Sequence, residues 1–230
     1  AASGVTGGDY NTAVGAYAAD VVTTSDYNTA VGGSALGATT GASNTGIGYG
    51  ASWRNVTGTF NVALGDQALE GVAGNSHSYN TAIGAKASEV ITTGDYNITL
   101  GYTAGDNITT GSGNVVIGKA DVSSATGDDQ LSISDGEDGS VVWMTGDSSA
   151  NITFAAEVAA VSLDISGAID VDGTTNLDAV DIDGAVQIDG TVTVGVDDTG
   201  LDVKFFGASA GAYMEWDESA DQLRIMGASA

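Results

Sequence analysis

Through the first half of the chain the apolar residues come in short bursts that fit neither a helical stripe nor a long alternating strand. Each burst is bracketed: an asparagine, two small or β-branched residues, an aliphatic residue, then a glycine four places after the asparagine. The asparagines are Asn11, Asn28, Asn44, Asn61, Asn80, Asn97 and Asn114, and the glycines are Gly15, Gly32, Gly48, Gly65, Gly84, Gly101 and Gly118. Successive asparagines are separated by 17, 16, 17, 19, 17 and 17 residues. A fixed short motif joined by a connection that tolerates insertion marks a stacked repeat, in which one part lies on its neighbours and the other loops out.

Each repeat position carries a structural expectation. The aliphatic position is Val14, Val31, Ile47, Leu64, Ile83, Leu100 and Ile117, which predicts one continuous buried apolar column. Four residues further, Ala18, Ala35, Ala51, Ala68, Ala87 and Ala104 predict a narrow interior. The motif alternates and favours β structure, so it predicts a short strand ended by a glycine of positive φ. A second β-favouring stretch at 21–24, 39–40, 56–57, 90–93 and 108–110 predicts a second strand per coil. The expectation is an all-β chain opening with a β-solenoid (β-roll) of about seven coils over residues 1–120. A helical solenoid or a leucine-rich horseshoe needs longer repeats, and the glycines and threonines here oppose helix.

After Gly118 the texture changes. Residues 121–160 predict a β junction with strands at 131–134, 141–145 and 151–155, the first two joined by the acidic turn SDGEDGS. Residues 161–195 alternate aliphatic and acidic residues between glycines, so that Ile169 and Val171 face opposite to Asp170 and Asp172. Strands this short cannot close a core alone. Three identical chains could close it, with Ile169, Val171, Ile182, Val186, Ile188, Val192 and Val194 toward a shared axis; an antiparallel sandwich within one chain is the competing arrangement. Residues 196–230 predict a C-terminal β meander with strands at 201–206, 212–216 and 222–226.

Charge narrows the function classes. The 230-residue chain has 30 acidic residues against five Lys and Arg, a net charge of −25. Nucleic acid as a partner is excluded for want of clustered cations, and an anionic membrane surface for the same reason. There is no cysteine, hence no disulfide framework and no thiolate metal site. No run approaches the ~18 apolar residues of a membrane span. Absent proline and 35 glycines with 42% hydrophobic residues describe turn-rich β structure, not an acidic disordered tail. The chain opens at Ala1 without methionine, the expectation for a processed form or a fragment.

Candidate chemistry is sparse, and an enzyme is not expected. The one histidine, His77, falls in the longest insertion, GNSHSYN, and reads as a surface loop residue. The NxT triplets at Asn55, Asn97, Asn107 and Asn151 read as turn residues bonding the backbone. Paired carboxylates on neighbouring coils are the one catalytic arrangement the repeat could offer, that of a polysaccharide-degrading spike, but no glutamate recurs at one repeat position. Asp9, Asp26 and Asp95 precede a tyrosine in a solvated turn. Asp170, Asp172, Asp181 and Asp183 in two DxDG segments suit a hard cation such as calcium, against the default of charge that keeps strand edges soluble. No other cofactor is implied. Contact with a partner surface is expected at Trp53 and Arg54, at His77 and Tyr79, and at Tyr213 and Trp216, whose rings could stack on sugars; a chain this acidic disfavours anionic glycans. The competing assignment makes Trp53 and Trp216 buried caps or contacts between chains.

The segments YNTAVGAYA, YNTAVGGSAL, FNVALGDQAL and YNTAIGAKA resemble the asparagine-to-glycine coils of trimeric autotransporter adhesin heads and of bacteriophage tail-fibre proteins, with a longer period here. LDISGAIDVDGTTNLDAVDIDG and VGVDDTGLDVKFFGASAGAYMEWDESADQL are similar to segments of structural and fibre proteins of tailed phages. The resemblance implies a trimeric virion fibre used in host attachment or as a spacer, whose partners are its own copies, other tail or fibre proteins, and a neutral host glycan or protein. A bacterial extracellular adhesin or surface filament subunit is the alternative, and a polysaccharide-degrading tailspike a distant one.

Overall fold

The computed structural model describes residues 7–156, 158, 182, 184–194 and 203–227. They fall into two units, 1–163 and 164–230, described separately below.

The first unit is the predicted β-solenoid. Seven three-residue strands, β1 (Thr12–Val14), β2 (Thr29–Val31), β3 (Thr45–Ile47), β4 (Val62–Leu64), β5 (Thr81–Ile83), β6 (Ile98–Leu100) and β7 (Val115–Ile117), pair in order, parallel and in register. An eighth, β8 (Leu131–Ser134), adds in parallel to β7. The sheet then turns back through β9 (Val142–Gly146) and β10 (Ile152–Phe154), both antiparallel. The boundary expected at residue 120 is thus no break: the junction is the last rung and cap of the same ten-stranded sheet. The hairpin into β9 is held by Asp135, whose carboxylate accepts the backbone N–H groups of Glu137, Asp138, Gly139 and Val141. These donors hold its carboxyl at a pKa of about 2.

Strands of three residues gain few ladder bonds, so the stacking draws on a second set. The backbone N–H of each repeat asparagine donates to the side-chain Oδ1 of the preceding one, at 2.9 to 3.0 Å from Asn11 to Asn114, and Gln130 continues the ladder onto Asn114 at 2.9 Å. The amides of Asn11, Asn44, Asn61, Asn80, Asn97 and Asn114 also donate across their own coils, for example Asn44 Nδ2 to the Gly58 carbonyl at 2.9 Å and Asn97 Nδ2 to that of Gly111 at 3.0 Å. The asparagine therefore joins three pieces of backbone, the strand start, the next coil and the far turn, and Asn28 to Asn114 are all buried.

Because the asparagine points inward, strand alternation sends the next residue out, the middle one in and the aliphatic one out. The expected buried column of Val14, Val31, Ile47, Leu64, Ile83, Leu100 and Ile117 is therefore corrected. Leu64 is 44% exposed and Leu100 46%, while Ala30, Ala63, Ala82, Thr99 and Val116 in mid-strand are buried. The alanine column does line the interior, with Ala18, Ala35, Ala51, Ala68, Ala87 and Ala104 fully buried against Leu36, Leu69, Val22, Ile91 and Ile108. The second strand per coil is likewise corrected. Those stretches are turns and bends that still bond coil to coil, as from Thr40 N–H to the Val56 carbonyl and from Thr92 N–H to the Thr109 carbonyl. The turn that leads into each stretch places residues two and four past the motif glycine at left-handed φ, such as Lys86 (61°) and Ser88 (51°), so the chain enters the stretch from a bend and not in extended strand geometry.

The second unit holds a three-stranded antiparallel sheet, β11 (Val203–Phe206), β12 (Tyr213–Asp217) and β13 (Gln222–Met226), in that order, with a 3₁₀ turn at Glu218–Ala220. It matches the expected meander. Residues 184–194, where part of the alternating shaft was expected, form no strand in this chain.

Two substitutions test the stacking. Asn61→Leu removes the acceptor for Asn80 N–H and the donors to the Thr59 and His77 carbonyls. Chemical denaturation is expected to show a loss of about 2 to 5 kcal/mol, since buried partners are left unsatisfied. Gly84 has φ +129° and a Cβ there would overlap the Gly101 carbonyl of the next coil. Gly84→Val should therefore cost about 3 kcal/mol or more, whereas Gly136→Val, where a Cβ meets nothing, should be near neutral.

Candidate functional site

The roll's sheet presents an outer face of fourteen positions, two from each of β1 to β7: Thr, Val or Ile at the first and Val, Ile or Leu at the third. None is charged, although 15% of the chain is. Val14, Ile47, Val62, Leu64, Ile98, Leu100 and Ile117 are all exposed on it. Sequence reasoning placed the aliphatic column inside and so missed this face. The signal available was the inward asparagine, which fixes the alternation.

Trp53 and Arg54 lie beside the loop of the longest coil. The Trp53 ring packs over Gly37, where any Cβ would collide with it. The Arg54 guanidinium stacks 5.0 Å from the Trp53 ring centroid and pairs with Glu70 at 3.1 Å, and Gln67 donates to the other Glu70 oxygen at 2.6 Å. Glu70 is buried while Arg54 is half-exposed, so this pair is worth little in stability and serves to fix the guanidinium over the ring. Ala38, Val56, Ala73 and Gly74 complete a cleft of about 220 Å³ with Trp53 and Arg54. Its walls can take an apolar ring face, and the Arg54 guanidinium can donate to a hydroxyl.

The other expected contact residues fare differently. His77 is 1% exposed, so the surface loop assignment is corrected and it can touch no partner. Its backbone is held by Asn55, whose Oδ1 accepts His77 N–H at 3.2 Å and whose Nδ2 donates to the His77 carbonyl at 3.0 Å. Asn80 Nδ2 lies 3.4 Å from the ring Nδ1, making that nitrogen the acceptor, while Nε2 sits over Gly71 without a hydrogen-bond partner. Burial lowers the pKa of the imidazole to about 4. Tyr79 has both faces covered, by Phe60 at 5.2 Å and Tyr96 at 4.7 Å between ring centroids, so it offers an edge only.

In the terminal sheet the polar and apolar faces are reversed from the usual order. Lys204 pairs with buried Glu215 at 2.6 Å and Arg224 with buried Asp217 at 2.7 Å. Phe205, Met214 and Ile225 in one cross-strand row and Trp216 with Leu223 in the next are exposed. Trp216 is thus not a buried cap within this chain, and Tyr213 is half-buried with Lys204 Nζ 4.3 Å from its ring centroid.

Asp170, Asp172, Asp181 and Asp183 lie outside the described residues; among the described residues no group of three or more potential ligands forms. Asp106 and Asp121, on successive coils, share a side-chain hydrogen bond, and burial together with the Asp121 charge raises the Asp106 pKa. Hydrogen-bonded carboxyls stand closer than the roughly 5 Å or more that must separate the pair flanking a glycosidic bond.

The buried histidine gives a pH signature. Its folded pKa of about 4 lies below the unfolded 6.5, so unfolding takes up a proton between those values. The stability is complete above pH 6.5 and falls toward pH 4 by about 3 kcal/mol at most. In His77→Leu the slope of unfolding free energy between pH 6.5 and 4 should flatten, as read from denaturation midpoints across that range. Compared with known proteins, the chain matches no family model, no characterised protein and no solved structure.

Proposed function

We propose that this chain is a structural fibre protein of a virion, a phage tail fibre, that assembles as a homotrimer and serves host attachment or spacing. The observation that carries the assembly is the uncharged outer face of the roll. A chain of net charge −25 that keeps fourteen aligned surface positions free of any charge, half of them exposed aliphatics, reserves that face for contact. Two further surfaces support it. Ile182, Val186, Ile188, Val192 and Val194, expected to face a shared axis, are 49 to 61% exposed in the single chain. The terminal sheet presents Phe205, Met214 and Ile225 outward while its ion pairs are turned in. The resemblance of the repeats and of the C-terminal half to phage fibre segments supports the virion assignment. Recognition of a neutral glycan or a protein would use the Trp53 and Arg54 cleft, each weak contact multiplied by three copies per fibre.

Sedimentation equilibrium of the purified chain is expected to give the trimer mass, and a monomer at micromolar concentration would count against assembly. The double variant Leu64→Asp, Leu100→Asp should sediment as monomer with an unchanged circular dichroism spectrum, because those side chains support no core. Antibodies against the roll should decorate the fibres of tailed particles by immunogold microscopy. Decoration of bacterial envelopes in their place would overturn the virion reading in favour of an adhesin.

A further inference from the structure

The residue before each repeat asparagine forms a second ladder on the roll. Tyr10 and Tyr27 stack with centroids 5.1 Å apart and planes 3° from parallel; Phe60, Tyr79 and Tyr96 stack at 5.2 and 4.7 Å, at 7° and 3°. Between the two stacks the corresponding residue is Ser43. Its backbone is that of its neighbours: φ is 61° at Ser43 against 61° at Tyr27 and 58° at Phe60, and the same coil-to-coil bond runs through it, from Ser43 N–H to the Asp26 carbonyl at 3.0 Å. The interruption is therefore in the side chain alone. The preceding position is reduced too, being Ala42 where the other coils carry Asp, Thr or Ser.

The ladder consequently opens by one ring. Tyr27 and Phe60 stand two rungs apart, roughly 10 Å at the ~4.8 Å spacing of hydrogen-bonded strands, room for one ring at the spacing the stacks already use. Exposure agrees: Tyr79, with a ring on each face, is 45% exposed, while Tyr27 and Phe60, each with one neighbour, are 60% and 55% exposed. The slot has two flat apolar walls and, at its base, the hydroxyl of the half-buried Ser43.

We infer that this slot is a binding site for one neutral pyranose ring, held between Tyr27 and Phe60. A pyranose presents C–H groups on its two faces and hydroxyls around its edge, the complement of apolar walls with a polar base. The Ser43 hydroxyl can donate to or accept from a hydroxyl on the ring edge, and the net charge of −25 selects against uronic or sulfated sugars. An unsubstituted aromatic ring would fit the walls but leave the Ser43 hydroxyl without a new partner. The inference does not depend on the fibre assignment.

The test is saturation-transfer NMR on the full chain with methyl glycosides of glucose, galactose and mannose. At least one should receive saturation at its ring protons, and methyl glucuronide should bind more weakly than methyl glucoside. Ser43→Tyr closes the slot with the residue the same backbone already carries at Tyr10, Tyr27, Tyr79 and Tyr96, so it should fold, raise the midpoint of thermal unfolding and abolish the transfer. Tyr27→Ser removes one wall and should weaken binding about tenfold or more. Absence of transfer to every neutral glycoside overturns the inference, as does undiminished transfer in Ser43→Tyr or displacement of the glycoside by p-cresol at equal concentration.

Discussion

The structure depends on one side-chain amide, repeated. A primary amide carries an acceptor and two donors, and in this roll they are used on backbone and, from Asn61 to Asn114, also on the preceding amide oxygen. The acceptor takes the N–H of the next coil, and the donors reach carbonyls of the flanking turns. A three-residue strand cannot hold a register by itself, since its ladder contains too few bonds and a slip of one residue would turn it over. The buried asparagine supplies the missing specification, because a slipped coil would leave an amide without partners in the interior, at a cost of about 1 to 3 kcal/mol for each group left unsatisfied. Gln130 shows that the requirement is chemical: where the repeat ends, another primary amide takes the same place.

That constraint decides what the interior can be. With an amide and a mid-strand residue pointing in, the space left is narrow, and alanine fills it from Ala18 to Ala104. The largest buried side chains enter from the turns, where Leu36, Leu69, Ile91 and Ile108 close the core, while Thr99 and Val116 enlarge the mid-strand row in the last coils. Where β3 carries Gly46 in mid-strand, Leu36 occupies the space a Cβ would need. The same constraint turns the aliphatic third residue outward, so the most hydrophobic column of the chain lies on its surface.

The coil count, the strand positions and the alanine interior were legible because they follow from period and from residue size. The direction of the aliphatic column does not follow from aliphatic character, which points it inward; it follows from where the buried asparagine must point. The same holds for His77. Its insertion lengthens the coil, but Asn55 and Asn61 both bond its backbone and draw the ring inside. Trp53 and Arg54 were recognised as a pair because they are adjacent, whereas Glu70, which fixes them, lies one coil on and could be linked only through the stacking. The slot at Ser43 was invisible as an absence until the rings on each side were seen to stack.

Stacking identical coils also stacks like charges, and the turn before each ring shows how an acidic chain limits this. From the fifth coil onward the position two before the asparagine runs Ser78, Asp95, Ser112, and Asp128 continues it at the eighth rung. Each side chain accepts the N–H of the preceding member, Asp95 from Ser78 at 2.6 Å, Ser112 from Asp95 at 3.1 Å and Asp128 from Ser112 at 2.8 Å. Serine and aspartate serve equally as acceptors, so alternating them keeps the ladder intact while placing carboxylates two rungs apart. In water two unit charges one rung apart repel by about 0.9 kcal/mol and two rungs apart by about 0.4 kcal/mol, the latter further reduced because the distance exceeds the Debye length of ~8 Å. The first coils lack this device, for Asp9 and Asp26 are neighbours and the Asp9 N–H donates to the Asp26 carboxylate at 2.7 Å. There the hydrogen bond offsets the repulsion and the following Ala42 carries no charge, so the run of like charges stops at two.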